Sequence, residues 1–350
     1  MAGISKLSPF RLLAAFAAAA ALAVGCVERE RVDEGEYEKA QLTVLFDGMD
    51  APASKSRVPF DENAGGLYSA VILAFRADGR LDARESFTSL SSLTSATLTV
   101  STATRRIVVL GNYPSVPDMV LASGFSGNLA LTSLSATAGV PMHGTSADLT
   151  IVKGANSVTV TLVRDVAKVQ VDRIKLSTSA GAPAGIRLMA VYLVNARSDA
   201  SWTMSNAGEV SVSVGSARAN AWTGSAVSKS ASVPAVYDAV SEVLTTSGTS
   251  PFHFYCFANP SSWNSAPGHE ATASEKSSVT NLVLEFMDGS SVVSYHHVAV
   301  PAITANHLYH INSITVSSAG GPDPWSSTAE VDVDVEVAEW GGGTDVNKTM

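Results

Sequence analysis

Residues Glu330 to Trp340 read Glu-Val-Asp-Val-Asp-Val-Glu-Val-Ala-Glu-Trp, a strict alternation that fits a β-strand with one buried face and one in water. Val331, Val333, Val335 and Val337 share one face, while Asp332, Asp334 and Glu336 share the other. Only Gly341-Gly342-Gly343 and a short polar tail follow. So regular a strand, at the end of the sequence, is suited to leave its own domain and pair with another, which points to assembly rather than chemistry. The alternation breaks after Val337: Glu339 falls on the valine side and Trp340 on the acidic side. Trp340 therefore shares a groove with the valines only if the strand bulges or twists near Ala338.

The rest of the chain repeats this β character. Ala, Ser, Thr and Val dominate, hydrophobic residues make up 46% and charged residues 16%, enough to fill a core and too apolar for disorder. Gln41 to Phe46 alternates, with Leu42, Val44 and Phe46 on one face. Val71 to Phe75 and Arg106 to Leu110 are nearly continuous apolar runs, as buried strands are. Strands are also expected at Leu98–Val100, Asp148–Val152, Ser157–Val163, Ala167–Leu176, Arg187–Leu193, Phe252–Phe257, Ser278–Phe286, Val292–Val300 and Leu308–Val316. Gly154-Ala155-Asn156 and Asp288-Gly289 supply hairpin turns. Helix is expected only at Pro117–Ala122 and Val236–Leu244. Many short strands at this spacing predict β-sandwiches, with a domain boundary near Val163–Val166.

The N-terminus predicts where the protein resides. Lys6 and Arg11 precede an alanine-rich apolar run from Leu12 to Val24, too short to span a bilayer comfortably and proportioned as a secretory signal. It ends Leu22-Ala23-Val24-Gly25-Cys26, which is similar to a bacterial lipobox, so residues 1–25 are expected to be removed and Cys26 lipidated. Each buried lipid methylene then contributes about 0.8 kcal/mol to membrane anchoring. Cys256 is the one other cysteine, so no disulfide is expected between folded parts. The formal net charge of −9 disfavours nucleic acid as a partner.

No catalytic constellation stands out, no cofactor is called for, and the chain is not expected to be an enzyme. Gly124-Phe125-Ser126-Gly127 has the wrong spacing for a nucleophile elbow. His296-His297 and His307-x-x-His310 suggest a metal at first sight, but strand residues three apart point to opposite faces. Asp332-x-Asp334-x-Glu336 lacks the glycine and the distal glutamate of a calcium loop, so no metal is expected there.

Taken together, several segments resemble the fimbrillin family, the FimA-like subunits of Bacteroidales type V pili. They are the lipobox, the early alternating strand, Pro141-Met142-His143-Gly144, Leu162-Val163-Arg164-Asp165-Val166-Ala167-Lys168-Val169, Tyr255-Cys256-Phe257-Ala258-Asn259, Asn306-His307-Leu308-Tyr309-His310-Ile311 and the terminal Val335 to Trp340. Ala258 departs from the pattern, standing where such proteins often carry an acidic residue. The resemblance implies an all-β chain of two tandem transthyretin-like β-sandwich domains. It also implies a precursor that reaches the outer membrane as a lipoprotein and is cut by an arginine-specific surface protease before entering a fimbria.

On that pattern the cut falls between Arg57 and Val58, in the polar loop after the first strand, where proteases act most readily. Arg29 and Arg31 are rivals, but a cut there leaves the strand in place; Arg105-Arg106 adjoins a buried strand. Residues 26–57 then form a lipidated tether with a removable strand, 58–163 the N-terminal sandwich, and 164–350 the C-terminal sandwich carrying a donor strand at 329–340. Losing Leu42, Val44 and Phe46 opens a groove with unpaired backbone, which Val331, Val333, Val335 and Val337 of another copy or an accessory pilus subunit would fill. Four buried valines contribute on the order of 6–10 kcal/mol, as an upper range. Donor and groove are different surfaces, so the contact propagates as an open filament. Alternatives are a tip or anchor subunit of the same pilus, or a surface lipoprotein that binds glycan or host ligands.

Overall fold

The computed structural model describes residues 37–48, 66–89, 91–134, 139–179, 182–230, 233–263, 272–289, 293–325, 331–332 and 335–340. Among them the chain is almost entirely β, in short strands joined by turns. The one α-helix among the described residues, Ala273–Ser278, is a six-residue turn closed by a capping box in which Thr272 and Glu275 bond each other's backbone. No described helix is long and apolar enough to cross a membrane.

The sheets follow from the sequence's alternation. Lys39–Asp47 buries every second residue and lies in a three-stranded sheet between Ser95–Ser101 and Ala155–Thr161. A five-stranded sheet runs Leu81–Thr88, Ser69–Arg76, Thr104–Gly111, Met142–Thr145, Val163–Arg164. The apolar faces of these two sheets belong to one core, which holds Leu42, Val44, Ile72, Leu98, Val109 and Val160. Beyond Arg164, one sheet runs Phe252–Cys256, Ala167–Val171, His307–Ile311, Val335–Glu339, and another Tyr237–Val243, Arg187–Val194, Asn281–Met287, Val293–Ala299. A sheet of Ser126–Ala130, Asp199–Met204 and Val210–Val214 draws strands from both sides of Arg164, and the buried core is continuous across that point.

Three expectations about local structure are corrected. Val236–Leu244 is not helical: Tyr237–Val243 is a strand on the edge of its sheet. Its pairing with Arg187–Val194 slips between Leu188 and Ala190, and Ser241 lies opposite with φ of 56°. Residues four apart share a face of a strand as they do of a helix, and because the half-buried positions between them are Asp238 and Glu242, the buried Val236, Val240 and Leu244 mimic a helix face. Pro117–Ala122 is extended and only leads into the 3-10 turn Ala122–Gly124. Asp148–Val152 forms no regular strand, although Leu149 still donates its N–H to the Arg105 carbonyl (2.7 Å). By contrast, Asn281–Met287 and Val293–Ala299 pair as antiparallel neighbours around the loop opened by Asp288-Gly289.

Candidate functional site

The strand Lys39–Asp47, hereafter the first strand, occupies a slot. It pairs antiparallel with Ser95–Ser101, from Lys39 opposite Ser101 to Leu45 opposite Ser95. On its other side it pairs parallel with Ala155–Thr161, from Gln41 opposite Ala155 to Asp47 opposite Thr161. Leu42 and Val44 are 0% exposed, and Ala40 and Phe46 are also buried. The inward face therefore has four positions, not the three large apolar ones read from the sequence; Ala40 was overlooked because alanine contributes little to a hydrophobic pattern. The outward face is polar and locally tied, with Gln41 Nε2 donating to Thr99 Oγ1 and Thr43 bonded to Thr97, both at 3.0 Å. Taking this strand away leaves two unpaired edges and an apolar groove, and both are costly unless a strand replaces it.

The terminal segment sits differently. Among the described residues, Val335–Glu339 pairs with His307–Ile311 on one side only, with Val337 opposite Tyr309, and Val331–Asp332 adds to Ile314–Val316, again as an outer strand. Val337 is half-buried, Trp340 is buried, and Val333 lies outside the described residues. Among the described residues the first strand thus has two neighbours and the terminal strand one. Trp340 is held within its own chain. Its ring stacks on Tyr255 (centroids 5.7 Å apart), the Arg164 guanidinium lies 4.4 Å above it, and its N–H donates to the Asn306 carbonyl (2.8 Å).

The segment Leu162–Val169 touches the ends of both strands, and its charged residues are inside the protein. Arg164 is 2% exposed, and its Nη1 donates to the carbonyls of Gly48 (3.0 Å) and Trp340 (3.1 Å). Its backbone N–H donates to Asn306 Oδ1 (3.0 Å), while Asn306, at φ of 58°, donates its own N–H to the Val166 carbonyl. The Asp165 carboxylate accepts from Tyr113 (2.8 Å) and pairs with His143 Nδ1 at 2.7 Å. Burial, and then the Asp165 charge beside it, push the Tyr113 hydroxyl pKa well above its ordinary value, so it stays a donor. Gly48 closes the first strand with φ of +79°, and a Cβ there would stand 2.5 Å from the Leu162 carbonyl. None of Gly48, Arg164 and Asn306 was singled out from sequence for these roles; a buried arginine and a left-handed asparagine leave no periodic trace.

The other candidates are accounted for singly. Cys256 is a buried free thiol whose pKa burial pushes up to about 12, an inert state. His307 Nδ1 donates to the Ala305 carbonyl, His296 bonds the Ser318 carbonyl, and His310 pairs with Asp172 at 2.9 Å. Among the described residues no group of three or more His, Cys, Asp or Glu is gathered to hold a metal. Cys26, Arg57 and Val58 lie outside the described residues. A pocket of about 430 Å³ adjoins the terminal strand, lined by Trp263, Val300, Pro301, Thr304, Tyr309 and Val337 among others.

No family model and no curated protein matches the sequence. Solved structures do match the fold. A candidate cell adhesion protein from Bacteroides eggerthii is 22% identical, with a TM-score of 0.55 over 87% of this chain and 96% of its own. Another from Parabacteroides distasonis is 15% identical, with a TM-score of 0.53 over 87% of this chain and 100% of its own. A fimbrilin (FimA) from Porphyromonas gingivalis W83 is 14% identical, with a TM-score of 0.53 over 87% of this chain and 99% of its own. The chain thus has the all-β fold of a fimbrillin.

Proposed function

We propose that this protein is a fimbrillin-type structural subunit of a surface fimbria, with a role in adhesion. It is exported with a signal peptide, lipidated at Cys26, cut between Arg57 and Val58, and polymerised by strand exchange. The observation that carries this reading is the unequal pairing of two alternating strands. The first strand is held along both edges, with four side chains buried, and it precedes a loop with an arginine; the terminal strand is held along one edge. A terminal strand that moves from its own sheet edge into another subunit's vacated slot exchanges one ladder for two. Four inward positions, Ala40, Leu42, Val44 and Phe46, meet four valines, 331, 333, 335 and 337. The acidic face of Asp332, Asp334 and Glu336 keeps free tails from pairing with one another by like-charge repulsion. Residues 58–163 and 164–350 are taken as the two sandwich domains, with Arg164 and Asp165 at their seam.

Trypsin treatment of the purified precursor, N-terminal sequencing and unboiled gels test this. A new terminus at Val58 and a ladder of oligomers are expected, with the ladder absent from a chain lacking 329–350. Ladders that persist without residues 329–350 would show that the terminal strand is not the donor. The second reading, a surface protein that binds glycan, draws on the pocket beside Val337, where Trp263 offers a ring for sugar stacking. Calorimetric titration with oligosaccharides against the Trp263→Ala variant decides it.

A further inference from the structure

Arg164 touches both strands that the proposed exchange would move. One nitrogen, Nη1, donates to the carbonyl of Gly48, just beyond the first strand, and to the carbonyl of Trp340, just beyond the terminal strand. The guanidinium plane also covers the Trp340 ring. We propose that Arg164 is a latch that couples the two strands, so that departure of the first strand loosens the terminal strand of the same subunit. The inference rests on the reading that the first strand leaves.

The physical basis is a buried charge that two of its acceptors share. While the first strand is in place, Arg164 is shielded from water, and turning away from either carbonyl loses a charge-assisted bond that water does not replace. Gly48 presents its carbonyl because its left-handed backbone allows a close turn against Leu162. A cut after Arg57 frees Gly48 together with the strand. The slot then admits water, Arg164 loses one acceptor, and solvation replaces what Trp340 had supplied. Trp340 keeps the Tyr255 stack and its bond to Asn306 but loses the lid above its ring. Coupling of this kind is reciprocal: a docked terminal strand also holds the first strand in its slot. A subunit would therefore offer its donor strand only after its own acceptor slot has opened.

Amide hydrogen exchange on the uncut full chain tests the coupling before any cleavage, so its outcome is separate from that of the polymerisation assay. Arg164→Met keeps the stem and removes the donors. It is expected to speed exchange about 10-fold or more at both 39–47 and 335–340, as loss of a charge-assisted bond does, while amides of 282–286 stay protected. Trp340→Ala is expected to speed exchange at 39–47 as well, and to add nothing there in the Arg164→Met background. Arg164→Lys, a milder change if the methionine variant folds poorly, is expected to fall between. Acceleration confined to 335–340 in either variant, or additive effects at 39–47 in the double variant, would overturn the latch.

Discussion

Replacing Leu42 by alanine separates a strand that is lost on maturation from one that is kept. Leu42 is 0% exposed in the centre of the slot, flanked by Leu98 on one neighbour and Asn156 on the other. A buried Leu→Ala change costs about 2–5 kcal/mol. That lowers the preference of the first strand for its slot by roughly 30-fold to several thousand-fold, since each 1.4 kcal/mol is tenfold. The uncut precursor should therefore unfold at distinctly lower denaturant, whereas the assembled polymer, which on the proposed maturation lacks residue 42, should melt as wild type does. Ladders should also appear sooner after trypsin, because the strand to be displaced holds less tightly. Leu284→Ala provides the contrast: Leu284 is equally buried but lies in a strand that the proposed exchange keeps, so precursor and polymer should both be weakened. Calorimetry of both states and a time course of unboiled gels give the readouts. A Leu42→Ala polymer destabilised as much as the Leu284→Ala polymer would mean that the first strand is still in the fibre.

Three further predictions concern stability and reactivity. Gly48→Ala should lower precursor stability by at least about 1–2 kcal/mol, the cost of a left-handed backbone for a residue with a Cβ, and its thermal unfolding midpoint should drop. His253 is 3% exposed, and burial, with the nearby His310 charge adding to it, depresses its pKa from 6.5 to about 4. Below pH 6.5 the unfolded chain takes up a proton that the folded chain refuses, so this site should remove about 3 kcal/mol of stability between pH 6.5 and 4. The loss shows as a falling urea midpoint that is shallower in His253→Gln. The Cys256 thiol should resist a disulfide reagent in the native protein and react on unfolding; prompt labelling under native conditions would contradict its burial.

Much of the fold was legible because the period of a strand is local. Lys39–Asp47, Ser69–Arg76 and Asn281–Met287 could be anticipated from their own residues, whose side chains alternate or run apolar as one or both faces are covered. Tyr237–Val243 was misread because Asp238 and Glu242 interrupt its inward side, leaving apolar residues four apart, a spacing that a helix shares. Leu81–Thr88 passed unnoticed because its apolar face, Leu81, Ala83 and Phe87, is interrupted by Glu85 and only half-buried.

The sequence alone determined that the terminal segment alternates, that the first strand has an apolar face, and that a single arginine stands in the loop after it. Only the tertiary structure decided that the first strand lies between two partners and the terminal strand beside one. Those partners, Ser95–Ser101 and Ala155–Thr161, are far away along the chain, and pairing across such distances leaves no signature in either segment. The same holds for Arg164. It is buried where the carbonyls of Gly48 and Trp340 converge, because the backbone of three distant segments meets at one point. Side-chain period is a property of neighbours in sequence; which edges are filled and which carbonyls converge is a property of neighbours in space.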